Sequence, residues 1–90
     1  MAEPLQIVIG ATPNPNAVKL TLNRIITSQG ETYRGDPASV SAPWAKALLT
    51  IPGVLGVYAI NNFISMNKAP EAEWDAIVPQ AEAGLRRVFE

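Results

Sequence analysis

Val54-Leu55-Gly56-Val57-Tyr58-Ala59-Ile60-Asn61-Asn62-Phe63-Ile64-Ser65-Met66-Asn67-Lys68 reads as a β-hairpin, and the rest of the chain is organised around it. Residues 54–60 form one apolar, β-rich run, and residues 63–68 form a second that returns antiparallel to it. The two residues between them, Asn61 and Asn62, both tolerate the left-handed region, which suits a two-residue turn. Immediately upstream, Pro52-Gly53 ends a helix expected over 43–51, with Pro43 in the first turn, Ser41 as cap, and Trp44, Leu48 and Ile51 on one stripe.

Working outward, Leu5-Gln6-Ile7-Val8-Ile9 reads as a first strand bounded by Pro4 and Gly10. Val18, Leu20 and Leu22 alternate with polar residues as a second. Between them, Pro13 and Pro15 make Thr12–Asn16 a rigid loop. Residues 27–41 are polar, with Gly30, Gly35 and Pro37, and read as a loop with at most a short strand around Glu31-Thr32-Tyr33. After the hairpin, Pro70 is expected to open a second helix whose stripe is Trp74, Ile77, Val78, Ala81, Leu85 and Val88, with Pro79 kinking or breaking it. Acidic residues at its start and Arg86 and Arg87 at its end suit the macrodipole. The expected fold is α+β: one domain over 1–90, order ββαββα, with a four-stranded, mostly antiparallel sheet and two helices on one face.

Composition limits the chemistry. Ninety residues with 48% hydrophobic and 17% charged residues suit one small globule. There is no cysteine, so these residues offer no disulfide, thiolate metal ligand, cysteine nucleophile or sulfur ligation of an iron–sulfur cluster. The lack of histidine removes the commonest metal ligand and neutral-pH proton shuttle, so no catalytic, cofactor or metal residues are assigned and no enzyme is expected. A net charge of −1 gives no electrostatic footprint for nucleic acid or an anionic membrane. Short apolar runs and a start without a basic region predict a cytoplasmic address.

Several residues invite a functional reading. Glu71, Glu73 and Asp75 fit macrodipole complementation better than a cation site, because residues two apart on a helix face different ways. Lys68 reads as a solvated strand-end lysine, and Trp44 and Trp74 as core anchors. The Thr12–Asn16 loop is the strongest candidate, since two X-Pro bonds and two asparagines make a preorganised surface.

That loop also carries a resemblance. Thr12-Pro13-Asn14-Pro15-Asn16-Ala17-Val18-Lys19-Leu20 resembles the T-P-N-P-N-[AS]-x-K-[FL] signature of the N-terminal domain of the Nfu/NifU-type iron–sulfur scaffold proteins. Pro43-Trp44-Ala45-Lys46-Ala47-Leu48-Leu49-Thr50-Ile51-Pro52-Gly53-Val54 is similar to the family's P-L-A-x-x-L-F-x-I-x-G-V. Val57-Tyr58 and then Asn62-Phe63-Ile64-Ser65-Met66-Asn67-Lys68, similar to D-F-I-T-V-T-K, follow in order, with Trp74 ahead of the last helix. Trp44, Leu49 and Asn62 depart from the pattern.

In that family the cluster is held by a C-x-x-C in a separate C-terminal domain. The resemblance therefore implies a stand-alone, non-catalytic accessory domain in iron–sulfur cluster assembly or delivery, without a cofactor of its own. The implied partner is a cysteine-bearing iron–sulfur carrier or an apoprotein client. The expected contact residues are Thr12, Asn14, Asn16, Lys19, Asn61 and Asn62, and the chain is expected to be a monomer or weak homodimer. The alternatives are a homodimer formed through a sheet edge or the apolar surface around Trp44, or a small-molecule or enzymatic cleft using Lys19, Lys68, Asn14 and Asn62.

Overall fold

The computed structural model describes residues 4–89. Its elements are β1 (Ile7–Ala11), β2 (Ala17–Leu22), β3 (Thr27–Arg34), a 3-10 turn (Pro37–Ser39), α1 (Pro43–Leu49), β4 (Val54–Asn61), β5 (Phe63–Lys68) and α2 (Trp74–Phe89). The strands form one antiparallel sheet in the order β1-β2-β5-β4-β3. The expected hairpin is its centre: Ile60 pairs with Phe63, so Asn61-Asn62 is a two-residue turn. Only Asn61 takes the left-handed conformation, at φ 55°.

The sheet has five strands rather than the expected four, and the order is βββαββα. The added strand is β3, eight residues long where the sequence predicts a loop with at most a short strand around Glu31-Thr32-Tyr33. Its polarity hides it, because it lies at the sheet edge and five of its eight residues face solvent. Its inward positions are filled unusually. Tyr33 packs edge-on against Trp44 at 5.7 Å, and the Glu31 carboxylate accepts bonds from the Thr27 and Tyr33 hydroxyls at 2.7 and 2.9 Å. A register shift between Thr27 and Glu31 further blurs the alternation.

Helices cover one sheet face. Val18, Leu20 and Leu22 of β2, Val57 and Ala59 of β4, and Ile64 and Met66 of β5 meet Trp44, Ala45, Leu48, Ile77, Ala81 and Leu85 in a single core. Burial of each large aliphatic side chain contributes about 1.5–3 kcal/mol. Trp44, expected as a core anchor, is only 5% exposed and belongs to this core. Helix α1 starts at Pro43 as expected, but its cap and its end differ from expectation. Ala42, not Ser41, precedes α1 and makes no side-chain cap, and α1 stops at Leu49, although Ile51 is still buried. Gly53 turns the chain at φ +96°, where a Cβ would lie 2.7 Å from that of Ala72.

Pro70 does not open α2. The helix begins at Trp74, with the Glu73 carbonyl accepting from Ala76 and Ile77, and runs unbroken through Pro79 to Phe89. Only Asp75 of the acidic trio lies in its first turn. Leu5 precedes β1 instead of belonging to it, yet is 1% exposed, and the Arg86 guanidinium donates to its carbonyl.

Candidate functional site

The Thr12–Asn16 loop is built almost entirely from its own polar groups. Asn14 and Pro15 occupy the first two positions of a turn closed by Ala17 N–H donating to Asn14 O at 3.0 Å. The Asn14 Oδ1 accepts from Asn16 N–H at 2.9 Å. Thr12 Oγ1 lies within bonding distance of Asn14 O and Ala17 O, at 2.9 and 3.0 Å, and accepts from Asn14 N–H at 3.2 Å. Thus Thr12, Asn14 and Asn16 shape the turn, while Pro13, Asn14 and Pro15 remain exposed on its outside.

Two distant residues fasten this turn to the domain. Lys68 ends β5 beside Asn16, and its N–H donates to Asn16 O at 2.9 Å. Its ammonium donates to Asn16 Oδ1 at 3.1 Å and to the carbonyls of Ala69 and Pro70 at 3.2 and 3.4 Å. It also lies 5.7 Å from the centroid of the Trp74 ring, whose indole N–H donates to Pro15 O at 2.9 Å. Lys68 is therefore not a solvated strand end: it is 8% exposed, the one buried charged residue among those described. Its ammonium is occupied by oxygen acceptors, an arrangement suited to holding the loop in place.

The expected contact residues do not form one surface. Thr12, Asn14 and Asn16 sit at one end of β2, while Asn61 and Asn62 lie about 17 Å away at the other. There Asn62 bonds the Leu22 main chain through its carbonyl, which accepts from Leu22 N–H at 2.7 Å, and through its amide, which donates to Leu22 O at 3.1 Å. Asn61 O accepts from Ile26 N–H at 2.7 Å. Lys19 lies between the two ends on the uncovered sheet face, its ammonium 4.4 Å from the Phe63 ring centroid. Lys68 faces the helices, so Lys19, Lys68, Asn14 and Asn62 share no cleft.

Sequence reasoning missed the partnership of Lys68 and Trp74 with the loop, because 52 and 59 residues separate the bonded groups. The available signal was strand register, since antiparallel pairing of Ala17 with Asn67 brings Asn16 to Lys68. Beside the fastened loop lies a cleft of about 310 Å³, lined by Ile9, Ala11, Pro15, Val18, Trp74 and Val78 among others. A second hollow of about 290 Å³ lies between α1 and α2 at Ala47, Thr50, Gln80, Gly84 and Arg87.

The residues that fasten the loop are those of the motifs quoted above, and the family model described as "Scaffold protein Nfu/NifU N terminal" matches residues 7–90. The chain belongs to the Nfu/NifU N-terminal family. It is 36% identical over 81 residues to the NFU1 iron-sulfur cluster scaffold homolog, mitochondrial, of Drosophila sechellia, covering 87% of this chain and 28% of that protein. It is 30% identical over 78 residues to conserved virulence factor C of Staphylococcus aureus, covering 86% of this chain and 21% of that protein. The chain thus spans less than a third of these relatives. The crystal structure of protein SAV1430 from Staphylococcus aureus superimposes with a TM-score of 0.74 at 29% identity, covering 89% of this chain and 98% of that one. Within an Nfu/NifU N-terminal domain, then, T-P-N-P-N and the distant lysine are parts of one hydrogen-bonded unit.

Proposed function

We propose that this Nfu/NifU N-terminal domain is a non-catalytic interaction module in iron–sulfur cluster assembly or delivery, binding a cysteine-bearing carrier or an apoprotein client. The supporting observation is the loop fastened by Lys68 and Trp74, which holds Pro13, Asn14 and Pro15 outward in one conformation beside an apolar cleft. Preorganisation of this kind lowers the ordering cost of binding. The absence of cysteine means that sulfur ligands for a cluster must come from outside these residues. The proposed contact surface is the loop end of β2; Lys19, on the uncovered sheet face, and Asn61 and Asn62, at the other end of the strand, lie apart from it.

The test is a titration of isotope-labelled protein with the cysteine-bearing carrier of the same organism, in apo and cluster-loaded forms, followed by backbone amide shifts. Saturable shifts at residues 12–17 and at the Trp74 indole are expected. A flat spectrum at high micromolar carrier overturns the reading.

A further inference from the structure

The outer edge of β1 and the neighbouring cleft form one continuous surface. In the β1–β2 ladder, Asn23 N–H donates to Gln6 O at 3.2 Å, and Val8 pairs with Thr21 and Gly10 with Lys19. Bonding alternates along an antiparallel ladder, so Val8 and Gly10 turn their main-chain groups toward β2, while Ile7, Ile9 and Ala11 turn theirs outward. Since β1 ends the sheet, no hydrogen bond reaches those outward groups among the described residues. The strand Ile7–Ala11 also lacks the charge, proline or bulge that commonly protects an edge. Val8 is 66% exposed, and Ile9 and Ala11 continue directly into the cleft.

Charge decides the occupant. On α2, Asp75 and Glu82 lie three residues before and four after Val78, on the same flank of the helix. Neither β1 nor residues 12–17 carries a charge, and the Arg86 guanidinium is directed to Leu5 O. We propose that β1 accepts an added strand from another protein, a segment that seats an apolar side chain opposite Ile9 in the cleft and carries lysine or arginine two residues to either side. Positions between these face Val8 and are apolar. Main-chain bonds supply affinity and the alternate side chains supply specificity. A second copy of this chain fits less well: pairing two β1 strands places both α2 helices on one side of the joined sheet, and the strand each copy offers, Ile7–Ala11, carries no lysine or arginine. The inference deepens the reading above and rests on it for the expectation that the domain binds a protein.

The test is a titration of the labelled full chain with a capped heptapeptide, Thr-Lys-Val-Leu-Val-Lys-Thr, and with its counterpart carrying glutamate for both lysines. Saturable shifts and slowed exchange are expected at the amides of Ile7, Ile9 and Ala11, with binding of the glutamate peptide about tenfold weaker. Ile9→Pro removes an outward N–H and no bond to β2, and is expected to weaken the lysine peptide about tenfold. The surface pair Asp75→Lys and Glu82→Lys is expected to reverse the peptide preference even if Ile9→Pro disturbs the strand. Absence of binding at millimolar peptide, shifts away from β1, or affinity unchanged in both variants overturns the inference. Dimerisation in sedimentation that Ile9→Pro abolishes also overturns it, giving the edge to a second copy. If the cysteine-bearing carrier binds equally well to wild type and both variants, this surface fails while the interaction reading stands; if the carrier does not bind at all, both fail.

Discussion

At position 68 a lysine is tolerated with 8% exposure because its ammonium keeps three oxygen acceptors and lies 5.7 Å from the Trp74 ring centroid. Lys68→Met preserves much of the stem and removes the donor to Asn16 Oδ1. The expected cost is about 1–3 kcal/mol in urea unfolding, with faster amide exchange at residues 14–17. Unchanged stability and exchange would mean that the ammonium does not hold the loop. Glu31 gives a pH-dependent counterpart. Bonds from the Thr27 hydroxyl and then the Tyr33 hydroxyl hold its carboxyl below the usual 4.5. A lowered folded value makes the stabilisation present above the unfolded value and lost as pH falls through the folded one. Wild type is therefore expected to lose stability more steeply than Glu31→Gln between about pH 5 and pH 3, read from urea midpoints. Tyr33, raised above 10.0 by its bond to Glu31 and then by burial, acts at the alkaline end, where its contribution fades as pH rises through the folded value.

Among the elements, α2 shows how packing overrides local preference. Pro79 lies in the sixth helical position, with no N–H for the Asp75 carbonyl, yet the helix continues because Ile77, Ala81 and Leu85 are held in the core. Its exposed position means that Pro79→Ala adds a hydrogen bond without disturbing the core. Stabilisation of about 1–3 kcal/mol is expected by thermal unfolding; a destabilised variant would show that the proline shapes the helix usefully. Strand β3 shows the opposite case, an element absent from the hydrophobic pattern. It forms because β4 offers an edge to pair with and because Trp44 offers a partner for Tyr33. The β4–β5 hairpin needs neither kind of help, since its alternation and two-residue turn agree with its final environment.

For the whole molecule, the order β1-β2-β5-β4-β3 makes β2, β5 and β4 interior strands and leaves β1 and β3 at the edges. Native-state hydrogen exchange is expected to be slowest at Leu20, Ile64 and Ala59, opening only with global unfolding, and much faster in β1 and the first half of β3. Equal protection across all five strands would contradict this ranking. What the sequence by itself determined was local: the hairpin at 54–68, the alternation of Val18, Leu20 and Leu22, the stripe of α2, and the family to which T-P-N-P-N points. These follow from side-chain periodicity and turn chemistry, which act over a few residues. Tertiary structure alone decided that β3 is a strand, that Lys68 is buried, that Trp74 fastens the loop, and that the asparagines at 14, 16, 61 and 62 lie at two ends of the sheet. Each depends on which strand edge or carbonyl a residue meets from tens of positions away, and that pairing exists only once the core has brought the strands into register.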